Sequence, residues 1–265
     1  MTPRERVIAA LEHRQPDLTP WHVTFTEPAR AAMAAYWRDP DFETRLGNCL
    51  LPLRTRLPDR DVPGRPGGQV DEFGVEWDRS VDRDIGTVCN VPVTRENLAA
   101  YRFPDPAAAE RFARFPAAIA ANRGERFLIA TVAFTMFERA WTLAGMENVL
   151  AAMAGDKPFA NALFDRILEH QAAVTRAALA WDVDGVRFGD DWCQQQGLLM
   201  GPALWRELIK PRVAALYRMV KARGKRVFIH SCGNLTEILS DLVEIGVDVL
   251  NPFQPEVMDV ETLQQ

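Results

Sequence analysis

Five short apolar runs punctuate the chain, near residues 20–25, 127–132, 183–188, 226–230 and 247–250, and stretches of helical rhythm fill the spaces between most of them. Phe127-Leu128-Ile129-Ala130-Thr131-Val132 and Val227-Phe228-Ile229 are continuous rather than alternating. That is the pattern of strands buried on both faces. Between them the spacing predicts helices over 107–121, 147–154, 158–181 and 202–223, the last interrupted near Lys210-Pro211, and another over 235–245. Strand and helix in alternation predict a parallel sheet with right-handed crossovers. A closed (β/α)8 barrel needs eight strands. Five predict either an open sheet or a piece of such a barrel.

The first part of the chain is less regular. Thr2-Pro3-Arg4-Glu5 opens a helix that Gln15-Pro16-Asp17 stops, and Glu27 to Trp37 is Ala-rich and helical. The predicted first strand, Thr19 to Phe25, carries His22 inside it. A histidine there is either a hydrogen-bonded core residue or a contact reaching into a barrel interior. Residues 49–105 have another texture. Proline and glycine cluster, and Val70 to Trp77 alternates around a turn. An excursion of loops and a β-hairpin is expected there, either walling a pocket or decorating the exterior.

Composition narrows the partners. The 265 residues are 48% hydrophobic and 25% charged, which suits one large α/β domain over 1–265. With 31 basic against 36 acidic residues the formal net charge is −5, so no electrostatic footprint for nucleic acid or an anionic membrane surface is present. No run reaches the roughly 18 apolar residues of a membrane span. Cys49, Cys89, Cys193 and Cys232 lie far apart, and the first residues lack the apolar core of a signal peptide. A reducing cytoplasm and a small-molecule partner are the expectation.

Chemistry collects at the ends of the predicted strands, where parallel α/β folds place their sites. Arg226 to Gly233 ends in His230-Ser231-Cys232, and residues two apart on a strand share a face. An imidazole and a thiol can therefore converge on one metal ion, zinc being the natural choice. Two ligands alone do not make a site. The preceding strand runs into Gly189-Asp190-Asp191-Trp192-Cys193, a polar pocket floor in which one of the two carboxylates faces the pocket; Asp191 is the one expected to act in catalysis, with Asp190 as a substrate contact. Glu138 beside Arg139, just past the 127–132 run, is either half of a packed ion pair or a substrate contact. Asn251 and Gln254 at the last strand tip either orient a ligand or satisfy local backbone.

Taken together, Met1 to Val7 with Ala9 to His13, Asp71-Glu72-Phe73-Gly74, Asp184-Gly185-Val186 with Asp190-Asp191-Trp192, Lys210-Pro211, His230 to Asn234 and Glu244 to Pro252 resemble the uroporphyrinogen decarboxylase family. The likeness is greatest to its branch of cobalamin-linked methyltransferases. That resemblance implies a TIM (β/α)8 barrel whose site opens at the carboxyl face and whose last strands lie beyond residue 265. It also implies a zinc ion on His230 and Cys232 with a later cysteine, a thiol activated there, and a methyl group exchanged with a corrinoid carried by a partner protein. His22, Glu138 and Asp191 would be catalytic, Asp190, Asn251 and Gln254 substrate contacts, and the assembly a homodimer. Cys193 would serve as a ligand if its loop reached the His230 tip. The alternative within the family is uroporphyrinogen decarboxylation, which needs no metal. True decarboxylases carry arginines after the first strand, whereas Pro20 to Glu27 has none and Arg30 comes first. A polyanionic substrate needs such guanidinium clamps. A third reading is a non-catalytic binding protein or inert fragment, which would expose sheet edges and associate.

Overall fold

The computed structural model describes residues 1–259. Two compact units are distinguished: the first comprises Met1–Leu53, Leu57–Asn90 and Ala113–Ile129, the second Arg54–Arg56, Val91–Phe112 and the chain from Ala130 onward. Five strands, β1 (Leu50–Arg54), β2 (Phe127–Val132), β3 (Gly185–Gly189), β4 (Arg226–His230) and β5 (Val249–Asn251), lie in one sheet in that order. Strand β2 belongs to the first unit up to Ile129 and to the second from Ala130. The β3–β4 and β4–β5 pairings are parallel. The result is an α/β protein with a five-stranded parallel sheet, and the sheet is open.

In the first unit, helix α1 (Pro3–Leu11) begins with a capping box. Thr2 Oγ1 accepts from the Glu5 N–H at 3.2 Å, and Glu5 returns the bond to the Thr2 N–H at 2.7 Å. Helix α2 (Glu27–Trp37) is capped by Thr26. The predicted strand at 20–25 is not one. The segment is extended, but Trp21 O accepts from Cys49 N and the Asn48 side chain bonds both N–H and C=O of Val23, so a side-chain amide takes the place of a ladder. The sheet's first strand is Leu50–Arg54 instead. In the 49–105 excursion, Arg60–Asp61, Gly68–Val70, Glu76–Asp78 and Thr87–Val88 form an antiparallel sheet in sequence order. Its central turn is closed by buried Asp71, whose Oδ1 accepts from Phe73 N and Val75 N at 2.9 and 3.0 Å. Helix α3 (Phe115–Asn122) completes this unit; the helix predicted over 107–121 is a 3-10 turn at Ala109–Phe112 followed by α3.

The second unit holds helices α4 (Phe137–Ala144), α5 (Met146–Gly155), α6 (Lys157–Ala178), α7 (Gly201–Leu204), α8 (Lys210–Lys221) and α9 (Leu239–Glu244). Between α7 and α8 the chain makes a π turn over Trp205–Ile209. Pro211 follows directly; it has no N–H to give an α-helical bond and its ring crowds the carbonyl four residues back, so a widened turn relieves both problems. Buried apolar faces of α6 and α8 pack on each other, and α8 packs on β4. Val186 and Phe188 of β3 and Val227 and Ile229 of β4 are buried, with Phe188 against Tyr217 of α8 at 5.2 Å between ring centroids. By alternation, Arg187, Gly189, Phe228 and His230 line the other face. No helix among the described residues is long and apolar enough to cross a membrane.

Candidate metal centre

The site is built from the carboxyl ends of three adjacent strands. Register sets His230 beside Gly189 on one side and Asn251 on the other. Beyond the strands the tips stay tied: Asp190 N donates to His230 O at 2.9 Å, Ser231 N to Asn251 O at 3.0 Å, and Cys232 N to Asp191 Oδ1 at 2.8 Å. Glycine is required at 233. Its φ is +91°, and a Cβ there would lie 2.7 Å from Cys193 Cβ and 2.8 Å from Gln194 O. The Gly233 N–H is also held by Gln254 Oε1.

Three ligand-bearing side chains meet at these tips. Asp191, His230 and Cys232 each offer an atom within 4.8 Å of the others. Cys232 Sγ lies 3.6 Å from His230 Nε2, and Asp191 Oδ1 lies 3.9 Å from the same nitrogen. A tetrahedral ion bonded at about 2.0–2.3 Å has ligand–ligand edges of about 3.4–3.8 Å, so the spacing needs only a small contraction. The second ring nitrogen is taken: His230 Nδ1 lies 2.8 Å from Asn251 Oδ1, an oxygen that can only accept. Arg187 Nη2, which can only donate, lies 3.1 Å from the same nitrogen, and Nε2 is the ring nitrogen that faces Cys232 and Asp191. Three protein ligands of soft and hard character are the number that a catalytic zinc ion takes. The donors fit the ion.

The adjacent carboxylates part company. Asp190 is buried and accepts from Phe137 N at 3.0 Å, Glu138 N at 2.7 Å and Trp192 Nε1 at 2.7 Å. It thus caps the first turn of α4 from outside that helix. Burial pushes its carboxyl up to about 6, while those three donors pull the other way. Capping fixes Glu138 close to the centre. Burial, with the Asp190 and Asp191 carboxylates beside it, pushes Glu138 up to about 9, so it holds a proton at neutral pH. Arg139 is buried over the Phe134 ring, 5.3 Å from its centroid, and its cation pulls the Glu138 carboxyl the other way. Burial, then Asp191 and Glu138, raises the Cys232 thiol above its ordinary range.

Of the other residues expected in the site, Asn251 contacts the His230 ring and Gln254 the backbone of Gly233. His22 lies in the first unit, in the extended segment that is not a strand. The Cys193 loop does reach Gly233, but its buried thiol is outside the ligand group, and burial pushes it up to about 12. Sequence reasoning passed over Arg187, whose Nη2 lies 3.1 Å from His230 Nδ1 and 3.3 Å from Asn251 Oδ1. Its signal was a lone charge between Val186 and Phe188 in a strand that otherwise reads as buried on both faces.

A parallel α/β sheet thus gathers a histidine, a thiol and a carboxylate at its strand tips, a group that could hold a metal ion. The uroporphyrinogen decarboxylase (URO-D) family model matches residues 71–254, and the chain belongs to that family. Among solved structures, one described as "methyltransferase from Methanosarcina mazei" is similar with a TM-score of 0.62, covering 94% of this chain and 75% of that one. At 16% identity the likeness carries the fold alone. No curated protein matches.

Proposed function

We propose that this chain is a zinc-dependent methyltransferase or demethylase on a URO-D-type (β/α)8 barrel, exchanging a methyl group between a small substrate or a partner's corrinoid and a thiol. The observation that carries it is the approach of Asp191, His230 and Cys232 to within 4.8 Å of one another. These three side chains would hold the ion. Bound there, zinc supplies Lewis acidity that lowers the pKa of an incoming thiol, making it a nucleophile at neutral pH. The remaining work belongs to the protein. Asn251 and Arg187 hold the His230 ring through Nδ1, which leaves Nε2 turned toward Cys232 and Asp191. Asp190 holds the start of α4, and with it Glu138, in place. Glu138, protonated at neutral pH, is placed to return a proton to a leaving group or to orient a neutral substrate oxygen.

Elemental analysis of the purified chain tests this directly. About one zinc per chain, lost on Cys232→Ala, is expected. A Cys232→Ala chain with unchanged metal content would sink the assignment. Family membership also supports decarboxylation without metal; that reading predicts full activity toward a porphyrinogen after chelation.

A further inference from the structure

Charge is left over beside the metal centre. Arg187 stands on the same sheet face as His230, one row further from the tips, paired in register with Phe228. Its guanidinium is half-buried, and its two contacts, His230 Nδ1 and Asn251 Oδ1, carry no negative charge. Among the described residues no carboxylate pairs with it. The usual arrangement is visible elsewhere in the same unit, where buried Arg212 meets Asp165 Oδ1 at 2.6 Å and Leu208 O at 2.6 Å. A guanidinium has five donors in a rigid fork, and Arg187 spends one amino group on an amide oxygen that His230 already occupies. Burying such a group without a counter-ion is costly, and burial pulls its pKa below the ordinary arginine value.

The position next to it carries no side chain. Gly189 lies on the same face, level with His230. A Cβ at Gly189 would meet nothing nearer than Ala133 Cα at 3.8 Å. A positively charged fork and an unfilled position thus flank the ring whose other nitrogen faces the metal ligands.

We propose that Arg187 anchors a single carboxylate, or an oxyanion of that size and charge, on the small molecule whose reacting group meets the metal at Asp191, His230 and Cys232. This rests on the metal reading of the site. One fork matches one carboxylate bidentately. A polycarboxylate would find only one of its charges answered, so the chemistry favours a compact monoanionic substrate over a tetrapyrrole.

The test uses two thiols that differ in one group, 3-mercaptopropionate and 3-mercaptopropan-1-ol, titrated by calorimetry into the whole chain. Cobalt(II) uptake, read by its absorption bands, reports separately whether the metal site forms. The wild-type chain should bind the carboxylate about tenfold tighter or more than the alcohol. In Arg187→Met that ratio should fall to within about twofold, with the alcohol's affinity unchanged, and Arg187→Lys should restore part of it. Equal affinities in the wild-type chain, or a preference that survives in Arg187→Met, would overturn the anchor. If Arg187 only steadied His230, Arg187→Met would weaken cobalt uptake and both thiols together, leaving the ratio as it was, which overturns it equally. Should the chain take up no cobalt, the metal reading fails; the carboxylate preference and its loss in Arg187→Met still decide the anchor.

Discussion

Two clusters of charge in the second unit are built on opposite rules. Between the π turn and α9, Lys210 Nζ reaches Asp241 Oδ1 at 2.6 Å and Glu244 Oε2 at 2.7 Å, while Arg206 Nε meets Asp241 Oδ2 at 2.9 Å. Each charge there has an opposite beside it. At the strand tips the charges are mismatched: Glu138 is held protonated by burial and like charges, the Cys232 thiol is raised for the same reasons, and Arg187 has no counter-ion among the described residues. Matched charges hold a surface together. Mismatched ones, kept at a stability cost where three strands end, are the groups that the proposed cation and substrate would complete.

The strongest way to break this contrast is to remove a ligand. Cys232→Ala and His230→Ala should each cut zinc content from about one per chain to about a tenth or less, because two remaining ligands do not retain a catalytic ion. Circular dichroism should barely move, since neither side chain fills the core. Unfolding on either substitution would mean that the cluster is structural after all.

Next in size is Asp190→Ala, which leaves the N–H groups of Phe137 and Glu138 and the indole of Trp192 without their acceptor. Unsatisfied buried donors of this kind should cost about 3 kcal/mol or more, read from the urea midpoint. Glu138→Gln is expected to do the opposite. A carboxyl raised to about 9 in the fold has its full relative stability below the unfolded value near 4.3 and loses it as pH rises toward 9. The amide does not titrate, so the metal-free Glu138→Gln chain should gain about 2 kcal/mol at pH 7 and nothing at about pH 4, while methyl transfer falls. A gain independent of pH would show that Glu138 is not held neutral.

The contrast also explains what could be read from the sequence. That His230 and Cys232 share a strand tip was legible because strand alternation and the ends of buried runs are local signals; Asp191 was read from the same signals as a pocket residue, not as a third possible ligand beside them. The first strand was not. Leu50-Leu51-Pro52-Leu53-Arg54 contains a proline that argues against a strand, and it is tolerated because β1 is an edge strand of the sheet, where one side of the backbone needs no partner. Trp21 to Phe25 carried the better strand composition, yet its hydrogen bonds go to Asn48 and Cys49 rather than to a neighbouring ladder. The separate fates of Asp190 and Asp191 depend on where α4 begins, fifty residues earlier in the chain, and no local pattern encodes that. The partnership of Arg187, His230 and Asn251 likewise exists only once β3, β4 and β5 are in register.

The smallest expected effect belongs to the matched cluster. Asp241 is held below the usual carboxylate range, first by the Arg206 hydrogen bond and then by Lys210. A depressed carboxylate adds stability above its unfolded pKa and loses it as pH falls through the folded one, so Asp241→Asn should lower the urea midpoint slightly at pH 7 and not at all in strong acid. Arg206 is exposed and Lys210 half-buried, so molar salt should erase part of the difference. Zinc content and the carboxylate preference at Arg187 should be untouched. A change in either would mean that the two clusters are coupled through the π turn and α8, and that the matched cluster has a hand in the site after all.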